Sequence, residues 1–155
     1  MLEIERKFLV INDAWRTAAH KQVRMAQGYL TRDGKSSVRV RLTANEARLN
    51  IKAAVAGVAR AEYDYAVPLA DAQEILDTLC IGVIDKTRHY VLHAGHEWEV
   101  DEFHGVNHGL VVAELELNAI DECFQNPTWL GAEVTDDVRY YNNPLALKPS
   151  TAWDQ

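Results

Sequence analysis

Charged residues alternate along several β-like stretches of this chain, and their spacing suits phosphate and metal chemistry. The first stretch carries Glu3, Glu5 and Lys7 at every second position. In an extended strand these side chains share one face, with the two carboxylates about 7 Å apart. Such a face can hold a hard cation beside a phosphate oxygen. An isolated E-x-E-x-K run is also typical of a solvated edge strand, so the other strands decide its meaning.

Similar charged faces recur later in the chain, and the sign of the charge changes from strand to strand. Arg39 and Arg41 give one strand a positive face. Glu114 and Glu116 give another a negative face. Arginine and lysine suit phosphate oxygens, whereas paired carboxylates suit Mg²⁺ or Mn²⁺. The complete set is Glu3, Glu5, Lys7, Arg39, Arg41, Lys52, Glu62, Asp64, Lys86, Arg88, Glu99, Asp101, Glu114 and Glu116.

The elements that position these side chains are predicted from the alternation of polar and apolar residues. Val38, Val40 and Leu42, for example, alternate with the two arginines of their strand. Most predicted strands are joined by connections of hairpin length, which favours an antiparallel sheet that is closed or nearly closed. The fold class is therefore mainly β with a few helices. The eight predicted strands cover residues 3–10, 27–31, 37–42, 47–53, 60–67, 84–92, 97–103 and 110–117.

Three segments are predicted to be helical. The clearest covers residues 71–79, where Asp71 is the expected N-cap, Glu74 completes a capping box and Ile75 begins an apolar stripe. Shorter helical segments are expected at residues 14–21 and 121–124.

Composition limits the classes of protein to consider. The 155 residues predict a single domain over residues 1–155. A net charge of -7 argues against nonspecific binding to nucleic acid. No apolar run is long enough for a membrane span, and the N-terminus shows no secretion signal. Cys80 and Cys123 form no disulfide framework or metal motif, which makes a reducing cytoplasm the expected location.

Convergence of the charged faces would create a polar lumen inside the sheet. Such a lumen would be filled with water, because burying so many charges in a dry interior is costly. The chemistry implied is metal-assisted phosphoryl transfer, in which cations neutralise a polyphosphate and a metal ion assists the attacking group. The chain has no G-x-x-x-x-G-K-[ST] run, so a P-loop enzyme is excluded.

These motifs together resemble the CYTH superfamily, the triphosphate tunnel metalloenzymes, and above all its short bacterial members that hydrolyse inorganic triphosphate. The resemblance covers essentially the whole chain. It implies an eight-stranded antiparallel closed β-barrel, or tunnel, with a few flanking helices. The motifs that carry it are Glu3-Ile4-Glu5-Arg6-Lys7-Phe8, Gln27-Gly28-Tyr29-Leu30, Val38-Arg39-Val40-Arg41, Lys52, Arg60-Ala61-Glu62-Tyr63, Lys86-Thr87-Arg88, Glu99-Val100-Asp101, Glu114-Leu115-Glu116 and Val138-Arg139-Tyr140.

The resemblance also implies roles for individual residues. Mg²⁺ or Mn²⁺ would be held by Glu3, Glu5, Glu114 and Glu116. The triphosphate would contact Lys7, Arg39, Arg41, Lys52, Lys86, Arg88 and Arg139. Catalytic roles would fall to Glu5, Lys7, Glu62 and Asp101, where the last two, with Glu99, would order a second metal, a water or the cations. Tyr29 is expected either to cover a tunnel mouth or to pack against its neighbours.

The favoured function is a metal-dependent triphosphatase acting on inorganic tripolyphosphate. A class IV adenylyl cyclase would use the same tunnel but needs a pocket for adenine and ribose. A thiamine triphosphatase would need an aromatic platform near the entrance, and a noncatalytic polyphosphate-binding module is a further alternative. The expected partner is a small triphosphate, with no nucleic acid or membrane, and family analogy suggests a homodimer.

Overall fold

The strands of this chain form one antiparallel sheet that closes on itself. We describe it from a computed structural model that covers residues 2–31, 34–55 and 57–153. The strands are β1 (Leu2–Val10), β2 (Ala19–Tyr29), β3 (Ser36–Leu42), β4 (Ala47–Ala53), β5 (Ala59–Val67), β6 (Gly82–His93), β7 (His96–Phe103), β8 (Val111–Glu116) and β9 (Leu130–Glu133). The helices are α1 (Trp15–Ala18), α2 (Leu69–Thr78) and α3 (Asn142–Leu147), with 3₁₀ turns at Gly105–Asn107, Val138–Tyr140 and Ser150–Ala152.

Eight of these strands make a ring in the order β5-β4-β3-β2-β6-β7-β8-β1, and β1 pairs back onto β5. One edge of β1 pairs with β8 over five residues, from Glu5 to Leu9. Its other edge is divided, because β5 pairs with its first residues and β9 with Phe8 and Val10. The ring is uneven as a result, with its shortest seam between β1 and β5. The predicted eight-stranded closed barrel is confirmed, and β9 is an addition outside the ring.

Two predicted elements before β3 exist but differ in extent from the prediction. The predicted helix at residues 14–21 is only the single turn of α1, and the strand predicted at 27–31 begins at Ala19. The cause is pairing with β6, which runs along the whole of β2. Partners about sixty residues away therefore override the local sequence preference.

The other two predicted helices also differ from the structure. The segment 121–124 contains no helix, because Phe124 packs edge-on against Phe8 and Trp98. Helix α2 begins at Leu69 after Pro68, so Asp71 lies in its first turn instead of capping it. The charge of Asp71 is still favourable there, near the positive end of the helix dipole. Within the described ranges, no helix is long and apolar enough to cross a membrane.

The main apolar core lies outside the ring, not within it. Odd-numbered β8 residues face outward, and Leu115 packs in a buried cluster with Phe8, Trp98 and Trp129. Helix α1 and the segment 118–130 supply Trp15, Phe124 and Trp129 to this cluster. A smaller cluster lies beneath α2. The sheet is therefore stabilised from its outer face, which leaves the inner face for charged residues.

One end of the lumen differs from the rest because it is filled by apolar side chains. Tyr29, Ile84, Phe103 and Val112 share the inner face of their strands with the charged residues and cluster with Leu145 of α3. Neither α3 nor β9 is predicted from the sequence, since their residues show no clear alternation or helical stripe. Tyr29 is buried in the cluster, which agrees with the packing alternative.

Candidate active site

A cavity of about 600 Å³ lies inside the ring, and all eight ring strands contribute to its wall. Every strand contributes because side chains alternate between the two faces of a strand, so every second side chain points into the ring. The C-terminal segment adds Val138, Tyr141, Asn142 and Pro144. Among the described residues, the charged lining consists of the cations Lys7, Arg39, Arg41, Lys52, Arg60 and Arg88 and the acids Glu3, Glu5, Glu62, Asp64, Glu99, Glu114 and Glu116.

One wall of the cavity is rich in carboxylates. Glu5 of β1 lies directly opposite Glu116 of β8, and Glu114 of β8 lies opposite Glu99 of β7. Burial raises the pKa of Glu5 to about 7, and the negative charges of Glu114 and Glu3 add to this effect. Burial also raises the pKa of Glu99 to about 7, despite its ion pair with Arg88. This wall holds more negative charge than its neighbouring cations offset.

Glu114 behaves differently from the other acids of the carboxylate wall. Its Oε1 lies 2.9 Å from Lys7 Nζ, and its Oε2 lies 3.5 Å from an Arg88 nitrogen. Burial acts to raise the pKa of Glu114, but Lys7, Arg88 and Lys86 outweigh it and hold the pKa well below its usual range. Glu114 is therefore ionised, and it orders the lysine and arginine beside it.

The opposite wall presents arginines that lack a carboxylate partner. Within the described part of the chain, no carboxylate oxygen lies within 4.0 Å of the Arg39 or Arg41 guanidinium. Arg39 Nε is buried without a hydrogen-bond acceptor. Burial lowers the pKa of Arg41, and the positive charges of Arg39 and Arg88 lower it further. This cluster of guanidinium groups lacks negative charge, which a bound polyanion would supply.

Two further cations connect the arginines to the acids of β1. Lys52 Nζ lies 2.9 Å from Glu3 Oε1 and 3.3 Å from Glu62 Oε2. An Arg60 nitrogen lies 3.5 Å from Glu3 Oε1 and 4.0 Å from Glu5 Oε1. Arg60 was absent from the predicted substrate contacts, although it lies two residues before Glu62 on the inward face of β5. The alternation of side chains along this strand would have identified it as a cavity residue.

Lys86 and Asp101 lie on the inner face of their strands but do not line the cavity, and Lys86 Nζ lies 5.7 Å from the ring centroid of Phe103 at the apolar end of the lumen. Lys86 Nζ lies 2.7 Å from Asp101 Oδ2, and both side chains are almost completely buried. Arg88 donates two hydrogen bonds of 2.8 Å to the same carboxylate. Burial lowers the pKa of Lys86 to about 8. In this position Asp101 orients Arg88, which itself reaches the cavity.

Arg139 is the predicted substrate contact that the structure separates most clearly from the cavity. It is the middle residue of the 3₁₀ turn Val138–Tyr140, its side chain is exposed, and one of its nitrogens lies 2.7 Å from Asp137 Oδ2. The same turn directs Val138 and Tyr141 inward instead. All other predicted site residues except Lys86 and Asp101 line the cavity, and the individual roles assigned to them stay predictions.

The predicted metal ligands converge only in part. Across the described ranges, no three acidic, histidine or cysteine side chains are already gathered as a metal-binding group. Glu3 is engaged by Lys52 and Glu114 by Lys7, whereas Glu116 has no ion pair in the described part of the chain. The facing pair Glu5 and Glu116 is therefore poorly compensated, and like charges directly opposite each other are unfavourable. An all-carboxylate donor set of this kind fits a hard divalent cation.

The ring and its mixed-charge cavity define a tunnel-type β-barrel whose chemistry lies inside the sheet. The chain belongs to the CYTH family, because the CYTH domain model matches residues 1–143. It is 45% identical over 148 residues to an inorganic triphosphatase of Acetivibrio thermocellus, covering 95% of this chain and 94% of the relative. An inorganic triphosphatase of Nitrosomonas europaea is 34% identical over 151 residues, covering 95% of this chain and 98% of the relative.

A comparison of structures agrees with this family assignment. The crystal structure of an inorganic triphosphatase matches with a TM-score of 0.68 and 32% identity, covering 94% of this chain and 97% of the matched chain. The family resemblance stated from the sequence motifs is thereby confirmed.

Proposed function

We propose that this protein is a triphosphatase that hydrolyses inorganic tripolyphosphate in its charged cavity with the help of Mg²⁺ or Mn²⁺. The observation that carries the proposal is the guanidinium cluster of Arg39 and Arg41, which has no carboxylate partner in the described ranges and faces the carboxylate wall across one cavity. A linear polyphosphate with its cation complements both walls at once. The names of the two bacterial relatives support the same activity.

The cations of the cavity would bind and orient the triphosphate. Arg39 and Arg41 can donate paired N–H groups to phosphoryl oxygens, and Arg88 is already held in place by Asp101. Oriented cations of this kind stabilise the charge that develops on the leaving pyrophosphate. Water attacks a terminal phosphorus, the bridging P–O bond breaks, and orthophosphate and pyrophosphate leave.

The carboxylate wall would hold the divalent cation. Glu5 and Glu116 are the best candidates, with Glu3 and Glu114 beside them on the same two strands. When bound there, the cation would supply Lewis-acid stabilisation of the phosphoryl oxygens. The carboxylates themselves position the cation, order water molecules near the phosphate and accept the proton that water loses.

A substrate comparison tests the proposal. The protein is incubated with tripolyphosphate, ATP or thiamine triphosphate in Mg²⁺, Mn²⁺ or EDTA, and orthophosphate, pyrophosphate and cyclic AMP are measured. We expect orthophosphate release from tripolyphosphate that requires a divalent cation. Cyclic AMP formation from ATP with tripolyphosphate left intact would overturn the proposal in favour of a cyclase, and faster turnover of thiamine triphosphate would change its substrate.

A paired substitution tests the carboxylate wall. Glu116→Gln should lower cation-dependent turnover by on the order of 1,000-fold, because an amide oxygen is a much weaker ligand for a hard cation. It should also weaken Mn²⁺ binding measured by electron paramagnetic resonance. Glu133→Gln is the matched control, since Glu133 pairs with Arg6 on the outer face. Unchanged Mn²⁺ binding in Glu116→Gln would refute the assignment of this wall.

A further inference from the structure

Tyr141 is a cavity residue whose contacts the proposed reaction does not use. It follows the 3₁₀ turn Val138–Tyr140 and brings the C-terminal segment against the inside of the ring. Its hydroxyl donates a 2.6 Å hydrogen bond to the Thr135 carbonyl oxygen. The same hydroxyl oxygen accepts a 3.3 Å hydrogen bond from the Gly57 backbone N–H, in the connection between β4 and β5. Two hydrogen bonds to separate parts of the chain therefore fix the position of the aromatic ring of Tyr141.

The ring of Tyr141 contacts two cations that come from different strands. Lys7 Nζ of β1 lies 4.8 Å from the ring centroid, and Arg60 Cζ of β5 also lies 4.8 Å from it. Both cationic side chains are largely buried. Lys7 Nζ is held further by a 3.3 Å hydrogen bond to the Tyr140 carbonyl oxygen. The single ring of Tyr141 therefore contacts both cations and fixes their positions in the cavity.

An aromatic ring orients a cation in a way that a carboxylate does not. A carboxylate would neutralise the positive charge and compete with phosphate for its N–H donors. The quadrupole of the ring attracts a cation without occupying an N–H donor, so Tyr141 holds Lys7 and Arg60 in addition to their ion pairs with Glu114 and Glu3. Long lysine and arginine side chains otherwise lose considerable rotamer freedom on binding, and a side chain that is already ordered loses less.

We propose that Tyr141 is a positioning residue that holds Lys7 and Arg60 as a two-cation clamp for one phosphate group of the substrate. The inference rests on the proposed function for the identity of the anion. The clamp lies beside the carboxylate wall, because Lys7 pairs with Glu114 and Arg60 approaches Glu5. It binds the phosphate closest to the C-terminal segment, and so makes that segment part of the binding site.

Calorimetric titration with tripolyphosphate in EDTA tests the clamp without turnover. Tyr141→Leu removes the ring, and we expect its affinity for tripolyphosphate to fall about ten-fold, as two desolvated cation–π contacts predict. Tyr141→Phe keeps the ring and loses only the two hydrogen bonds of the hydroxyl, so its affinity should lie clearly closer to the wild-type value than that of Tyr141→Leu. Failure of the phenylalanine variant to restore binding would overturn the role of the ring.

Tyr140→Leu is the matched control for damage to the C-terminal segment. The ring of Tyr140 packs against Trp153 and Arg139 instead of the cavity cations, and its carbonyl contact with Lys7 survives substitution. Tyr140→Leu should lower the melting temperature and leave the affinity for tripolyphosphate nearly unchanged. Equal loss of affinity in the two leucine variants would show that Tyr141 is merely structural.

A double-mutant cycle identifies the residue through which Tyr141 acts. If the ring orients Arg60, then Tyr141→Leu should cost much less affinity in an Arg60→Ala background than in the wild type. Additive losses would overturn the clamp. If the wild type binds tripolyphosphate without hydrolysing it, the proposed function fails while the same titrations still decide the clamp; if it does not bind, both fail.

Discussion

The outer and inner faces of the barrel have different roles, although the residues that form them alternate along the same strands. On β8, Leu115 faces outward into the apolar cluster and is almost completely buried, while Glu114 and Glu116 on either side of it face the cavity. The outer face removes apolar surface from water, which stabilises the fold. The inner face holds charges that gain little from burial and repel one another in part. Stability and chemistry are therefore separated by one residue along the chain.

The separation predicts that neighbouring substitutions give different losses. Leu115→Ala should lower the free energy of unfolding by about 3 kcal/mol, because it removes a buried side chain from the outer cluster. Turnover per folded molecule should stay near the wild-type value, since Leu115 does not reach the cavity. Urea denaturation and an assay at low temperature measure the two quantities. A loss of turnover without a loss of stability would contradict the separation of stability and chemistry between the two faces.

Arg39→Ala should show the reverse behaviour. We expect kcat/KM for tripolyphosphate to fall by roughly 100-fold, because an oriented donor to the phosphoryl group is lost. The free energy of unfolding should change by less than about 1 kcal/mol, since Arg39 has no carboxylate partner to leave unpaired in the described ranges. Val40→Ala, one residue along on the outer face, is the matched control. Unfolding of Arg39→Ala would mean that the inner face is structural.

The pH dependence of stability sharpens the comparison further. The folded pKa of Glu5 is raised to about 7 from 4.5, so the folded protein binds the additional proton between these values. Stability from this group is therefore lost as the pH rises through that range. In EDTA, Glu5→Gln should reduce the loss between pH 5 and pH 8 by on the order of 2 kcal/mol. Identical pH profiles of the variant and the wild type would contradict this.

Arg139→Ala should have the smallest effect. The side chain is exposed and paired with Asp137 away from the cavity, and such surface pairs contribute little to stability because solvent screens them. Turnover and KM should stay within about two-fold of the wild-type values, because no phosphate contact is lost. A large rise in KM would show that Arg139 swings inward when substrate binds, as the family motif suggested.

Strict alternation made much of the ring predictable from the sequence. The bounds of β4 agree with the prediction, and those of β3 differ by one residue, because charged and apolar side chains alternate there without a break. The inward charges on both strands follow from the same period. Arg39 and Arg41 could be assigned to the cavity on this basis, before any contact between strands was known.

Features that depend on distant partners were not predictable in the same way. The first half of β2 is extended because it pairs with β6, and nothing local distinguishes it from a helix. Lys86 lies on the same strand face as Arg88, yet it pairs with Asp101 near the apolar end of the lumen and does not line the cavity. The alternation of side chains gives the strand face on which a residue lies, but whether the side chain reaches the cavity depends on its neighbours. Tyr141 lies outside the ring strands, where no such period applies.

The barrel is closed by the short pairing between β1 and β5, which we call the seam. The seam contains three residue pairs, from Leu2 opposite Ala61 to Ile4 opposite Ala59, and Glu3 lies opposite Arg60 in the middle. Across the seam, Glu3 is held by Lys52 and Arg60, two cations that also line the cavity. An anion bound in the cavity would meet two cations that Glu3 already engages at this seam. Substrate binding and the side-chain contacts that join β1 to β5 would therefore draw on the same two side chains.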